Sequence, residues 1–271
     1  AGTDAIYDGA CRQAGLFRAG TVAEFYETLR AFAKQPIPAG NRVSVLTHMG
    51  GPGTMCIDQI STLPGLQMAQ LSTETHDELK KILSPAANIG HPPGYVDLTA
   101  AHWETLHNQV LRVLFQDKNI DMVIQILAPT AFLDQKLLAQ EIVSAYESQG
   151  AVKKPLLNVL TFGDFADTQR DRLEDAGLPT FDFPDMVAKV AANLAAYGAA
   201  RKAAAAPHAN AATSSATPAQ GPAAKLIAKA ARQLFPGEFS ALDRAVGGTF
   251  PFSSERIEAA HSQWTADWLA W

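Results

Sequence analysis

Between residues 41 and 199 the chain alternates two kinds of hydrophobic pattern. Near-continuous apolar runs occur at 122–127 (MVIQIL) and 156–160 (LLNVL), with a shorter one at 43–47 (VSVLT). Such runs suit strands covered on both faces, and strands are expected at 43–47, 66–70, 121–127, 156–161 and 179–181. Between them apolar residues return at helical spacing over 53–62, 73–83, 101–116, 131–148, 165–176 and 184–198.

Both flanks differ from this middle. Residues 1–40 read as a helical segment. Tyr7, Ala10, Cys11 and Ala14 lie on one helical face ahead of a stop at Gly15. Thr21 and Glu24 have the spacing of a capping box, and Phe25, Leu29 and Phe32 form the stripe of the helix that follows. Residues 200–224 are dominated by Ala, Pro, Ser, Thr and Gly and read as a linker. Residues 225–271 read as a helical tail, with Leu226, Ile227, Ala230 and Leu234 on one helix and Ile257, His261, Trp264, Trp268 and Trp271 on another. Those tryptophans call for burial, either on their own domain or on a partner. The middle, 41–199, predicts an α/β fold: a flavodoxin-like, doubly wound, five-stranded parallel sheet with ligands at the carboxyl ends of its strands.

Chemistry concentrates at NRVSVLTHMGGPG (41–53), a strand, a glycine cluster and the start of a helix. A helix N-terminus presents unpaired N–H groups and the positive end of the macrodipole. A side-chain-free approach to it makes a site for an anion. Gly50, Gly51, Pro52, Gly53 and Thr54 are the expected phosphate-facing residues, Pro52 standing where a missing N–H does no harm. Close packing of strand and helix is the alternative explanation of such glycines.

Composition narrows the function classes. With 22 Lys+Arg against 27 Asp+Glu, the net charge is −5, which argues against nucleic acid as a partner. No apolar run reaches bilayer length, so no membrane partner is expected, and the first residues lack the pattern of a signal peptide. Cys11 and Cys56 have no metal-ligand spacing and fit small core positions in a reducing cytoplasm, the expected location. His102 and His107 stand five apart, about 140° around a helix, which argues against a shared metal, and no metal site is expected.

Several separate segments, in order, carry a family resemblance: AGTDAIYDGACRQAGLFR, PIPAGNRVSVLTHMGGPG, LSTETHDELKKILSP and YVDLT. Over residues 1–199 the chain resembles the NDP-forming acyl-CoA synthetases, relatives of succinyl-CoA synthetase that convert acyl-CoA, ADP and phosphate to acid, CoA and ATP. The resemblance makes 41–199 the second flavodoxin-like domain of such an enzyme, and 1–40 the end of the preceding one. It implies a phosphorylated histidine held between two helix N-termini, one of them the 50–54 turn. That histidine is expected upstream of Ala1, so the chain is expected to be a piece of a longer protein or a processed product. CoA-binding and ATP-grasp domains or subunits are the implied partners within an oligomer. CoA, ADP or ATP and Mg are the implied ligands of the complete enzyme, with a small carboxylate or acyl-CoA as substrate. No covalently bound cofactor is expected in this chain.

The remaining candidates stay open between two roles. His48 stands where the family has a small polar residue; it either contacts or accepts phosphate or fills a structural position. Asp97 orients the substrate or the swinging histidine, or else caps the helix expected from Ala101; Thr99 shares that ambiguity. Thr130 and Gly163 follow strands at the ligand-bearing edge, whereas Asp164 fits an N-cap. An alternative function is a non-catalytic, acyl-CoA-sensing ligase-like module of a larger protein such as a protein acetyltransferase. An FMN-binding role lacks aromatic residues at the strand ends.

Overall fold

A computed structural model describes residues 4–14, 16–99, 103–128, 130, 133–161 and 166–205. Helices α1 (Asp4–Ala14) and α2 (Val22–Lys34) precede strand β1 (Arg42–Thr47) and helix α3 (Gly50–Thr62). Next come β2 (Gln67–Met68), α4 (Thr73–Ile82), β3 (Asn88–Ile89), β4 (Tyr95–Asp97) and α5 (Glu104–Gln116). The remainder is β5 (Met122–Leu127), α6 (Gln135–Glu147), β6 (Leu156–Leu160), α7 (Asp167–Asp175), β7 (Thr180–Phe181) and α8 (Pro184–Ala205).

The five expected strands form one mostly parallel sheet, with β2 beside β1, then β5, β6 and β7. Two short segments add to them. Strand β4 pairs parallel with the end of β1, Val45 opposite Tyr95, and β3 pairs antiparallel with β4. One edge of β1 is therefore shared: β2 takes its first residues and β4 its last. Gly94 sits where the two meet, at φ 73°, and a Cβ there would lie 2.7 Å from the Ala69 carbonyl and 3.0 Å from that of Val43. Only glycine fits that crossing.

Alternation along the strands divides the core between two faces. Leu46, Val96, Val123, Leu127, Leu156 and Leu160 pack with α4, α5, α6 and α7. Val43, Val45, Ile124, Ile126, Leu157 and Val159 face α3 and α8, which supply Cys56, Ile60, Val187, Ala191 and Leu194. Cys56 is buried as expected, and burial pushes its thiol up to about 12.

Two expected boundaries shift. The 1–40 segment does not stand apart, because α2 buries Ala31 in the α3–α8 core and Gln35 accepts a hydrogen bond from the Leu156 amide, 2.8 Å. Helix α8 extends to Ala205, so the first six residues of the expected 200–224 linker are helical. The rest of that linker, the tail helices of 225–271, Gly15, Ala101, His102, Gly163 and Asp164 lie outside the described residues. Thr21 caps α2 as its spacing predicted, accepting from the Glu24 amide at 3.1 Å.

Helix α2 is tied to the far sheet edge through Glu174. Its carboxylate accepts from Arg30 at 2.5 Å, Lys34 at 2.5 Å and the Thr180 amide at 2.7 Å. Burial alone would raise its pKa, but the bonds from Lys34 and Thr180 and the Arg30 charge hold it below the ordinary range. A depressed carboxylate adds stability that is complete above its unfolded pKa, about 4.3, and lost as pH falls through the folded value. Glu174→Gln should therefore cost about 1–3 kcal/mol at neutral pH. It should also lose less stability than the parent between pH 5 and pH 3, as read by urea unfolding across that range.

Candidate functional site

Helix α3 begins at Gly50, three residues earlier than its pattern predicts, with Met49 as N-cap. The glycine cluster is thus the first helical turn rather than a loop before it. Of the four leading backbone donors, the Met49 amide bonds the Thr47 hydroxyl at 2.8 Å and Pro52 has no N–H. That leaves Gly50 and Gly51, both exposed, whose amides have no hydrogen-bond partner among the described residues.

Gly53 and Thr54 do not share that role. The Gly53 amide is spent on the first intrahelical bond, to the Met49 carbonyl at 3.2 Å. A Cβ on Gly53 would meet the Tyr95 hydroxyl at 2.7 Å and Thr47 Cγ2 at 2.9 Å, so this glycine exists for close packing. The Thr54 hydroxyl turns back onto the Gly50 carbonyl, 3.0 Å. Gly51 meets nothing within 4 Å, and Gly50 only Asp97 Oδ2 at 3.5 Å.

Asp97 ends β4 directly beside this terminus. Its Oδ1 accepts from the Thr99 amide at 2.8 Å, and Oδ2 accepts from the Tyr95 hydroxyl at 3.3 Å. It does not cap the next helix: α5 starts at Glu104 with Trp103 at the N-cap position. Thr99 is held at φ 58°, a left-handed conformation costly for a β-branched residue, and the Asp97 bond to its amide supports it. Burial and the Asp97 charge push the Tyr95 phenol well up, which keeps it a protonated donor to that carboxylate.

His48 points to the other side of the sheet. It is 7% exposed, and its Nε2 accepts from the Ala128 amide at 2.9 Å. Its Nδ1 lies 3.4 Å from Nε2 of His107, a fully buried residue of α5. Both ring nitrogens are engaged inside the protein, so the structure does not present His48 to phosphate. The pairing of His107 with His48 could not be read from the sequence, since nothing in the α5 pattern reveals a strand-end partner. Thr130 lies past β5, its carbonyl accepting from Gln135 at 2.9 Å and its hydroxyl buried with no hydrogen-bond partner among the described residues. Thr161, at the end of β6, reaches Met49 Sδ at 4.0 Å. Asp97, the 47–51 turn and Thr161 thus share one sheet edge.

No family model matches the chain. Against curated proteins it is 35% identical over 193 residues to the alpha subunit of acetate–CoA ligase (ADP-forming) II of Pyrococcus furiosus, covering 70% of this chain and 41% of that one. The chain belongs to the NDP-forming acyl-CoA synthetase family. A 4-hydroxybutyrate–CoA ligase (ADP-forming) of Nitrosopumilus maritimus is 29% identical over 185 residues, 68% of this chain and 25% of that one. The chain therefore spans less than half the length of the curated relatives it matches. A solved structure from Pyrococcus horikoshii superposes with TM-score 0.68 at 32% identity, over 74% of this chain and 45% of that one. A dinucleotide-forming acetyl-coenzyme A synthetase 1 of Candidatus Korarchaeum cryptofilum, solved in complex with phosphate and ADP, gives TM-score 0.67 at 25% identity, covering 74% and 42%. No helix among the described residues is long and apolar enough to cross a membrane.

The two classes of glycine in this turn separate experimentally. Gly53→Ala should destabilise the fold by about 1–3 kcal/mol through overpacking, and Tyr95→Phe in the same chain should recover part of it by removing the nearest atom. Gly51→Ala should be neutral or stabilising by up to about 1 kcal/mol. Chemical denaturation of the three variants is the measurement.

Proposed function

We propose that the chain is one part of an NDP-forming acyl-CoA ligase that converts acyl-CoA, ADP and phosphate to acid, CoA and ATP. Its contribution is the α3 N-terminus, which stabilises a phosphohistidine carried by another part of the enzyme. The supporting observation is the pair of exposed, unpartnered amides at Gly50 and Gly51, aligned with the positive end of a 13-residue helix. A phosphoryl group with close to two negative charges gains most from fixed dipoles that need no reorganisation.

Asp97 acts on the carrier rather than on the phosphate. As a carboxylate it repels the phosphoryl oxygens, but it accepts a hydrogen bond from the imidazole nitrogen that carries no phosphate. With Thr99 and Tyr95 fixing its two oxygens, it orients that ring over the amides. Thr130 and Gly163 remain substrate-side candidates in this reading. CoA, ADP or ATP and Mg bind in the CoA-binding and ATP-grasp parts, which are the partners of this chain. Residues 41–199 belong to its flavodoxin-like domain, with helix α8 running on to Ala205. The kinship to ligases whose names specify ADP formation favours this over an acyl-CoA-sensing role in an acetyltransferase.

Gly51→Asp tests the assignment without disturbing the fold. Gly51 has open space around it. An acidic residue in the first turn also favours the helix, by about 0.3–1 kcal/mol. The variant should retain or raise its unfolding midpoint. Assembled with its partner parts, it should lose acyl-CoA-dependent ATP formation by about 100-fold or more, because a fixed carboxylate occupies the anion's place. Unchanged turnover would remove the phosphoryl role from this terminus.

A further inference from the structure

Beneath the α3 terminus, on the opposite face of the sheet, lies a buried polar chain that the ligase reading leaves unused. It runs from the Ala128 amide to His48, His107 and Gln125. The distances are 2.9 Å from the Ala128 nitrogen to His48 Nε2, 3.4 Å from His48 Nδ1 to His107 Nε2, and 2.9 Å from His107 Nδ1 to the Gln125 side-chain amide. His107 and Gln125 are fully buried, and the two rings meet edge to face with centroids 5.3 Å apart.

Donor and acceptor balance assigns the protons. The Ala128 N–H points at His48 Nε2, so that nitrogen must be the bare acceptor, and the His48 proton sits on Nδ1. His48 Nδ1–H then donates to His107 Nε2, which places the His107 proton on Nδ1. That proton needs an acceptor, whereas the Gln125 atom placed 2.9 Å from it is Nε2, a second donor, and Gln125 Oε1 is buried with no partner among the described residues; exchanging the two ends of that amide satisfies both. The opposite polarity would set a His48 Nε2–H against the Ala128 N–H, with only the Ala128 carbonyl at 3.2 Å in compensation. A single direction of donation therefore runs through four groups on three elements.

This chain does what the backbone cannot. The β1–β5 ladder ends at Thr47 opposite Ile126, and His48 carries the connection two residues further, to Ala128. Met49, Gly50 and Gly51 follow His48 directly, so its ring fixes where the helix begins. We propose that His107 is a positioning residue for the Gly50 and Gly51 amides, acting through His48. The inference rests on the reading of those amides as the phosphoryl cradle.

Long-range proton–nitrogen spectra of the labelled full chain test it without any substitution. Both His48 and His107 should carry their proton on Nδ1, the less common form of free imidazole; a proton on Nε2 of either ring would overturn the proposal. His107→Leu removes the acceptor while filling the space, whereas His107→Gln keeps an oxygen in place of Nε2. The leucine variant should displace the Gly50 and Gly51 amide resonances. In the assembled enzyme it should lower kcat about 10-fold with KM for acyl-CoA unchanged. The glutamine variant should keep both near the parent. Glycine resonances unmoved in His107→Leu would sink the idea, and if that variant does not fold, the ring protonation of the parent decides. Full activity in Gly51→Asp would instead remove the phosphoryl reading and leave the coupling from His107 to the turn intact.

Discussion

The approach of helix α3 to the ends of β1 and β4 sets the geometry of everything at the carboxyl edge. Gly53 lies against Tyr95 and Thr47, leaving no room for even a methyl group. Strand and first helical turn are thereby held in one register. The same Tyr95 that presses on Gly53 donates to Asp97, so the packing contact and the acidic group beside the terminus are parts of one arrangement. Cradle and carboxylate move together or not at all.

The turn is held from both faces of the sheet. Above it, Tyr95, Asp97 and the left-handed Thr99 fix the side that faces α3. Below it, His48 is gripped by Ala128 and His107. In the proposed role such rigidity is an advantage, because dipoles that are already aligned lose nothing in turning toward a charge.

Much of the fold was legible because buried parallel strands leave long apolar runs, and MVIQIL and LLNVL found their places without ambiguity. The hairpin at 88–97 was not, since its strands are two and three residues long and periodicity has nothing to act on. The glycine cluster stood out in the sequence, but which of its glycines packs against a neighbour and which stays exposed did not. Whether a glycine serves an anion or a neighbouring side chain depends on what stands opposite, and Tyr95 is 42 residues away in sequence. The His48–His107 pairing was hidden for the same reason. Each histidine was weighed on its own element, His48 against phosphate and His107 against a metal shared with His102, and only the crossing of α5 over the end of β1 joins them.

The division of one edge of β1 between β2 and β4 has a consequence for how the molecule meets others. Because neither partner runs the full length, the sheet finishes on that side in pieces: β2 and the antiparallel β3 are two residues each, and β7 on the far side is also two. Unsatisfied strand borders invite other chains to add on, and short or reversed borders deny them a template. Among the described residues, self-association through the sheet is thereby discouraged at both margins, and the surfaces left for other contacts are those of helices and loops.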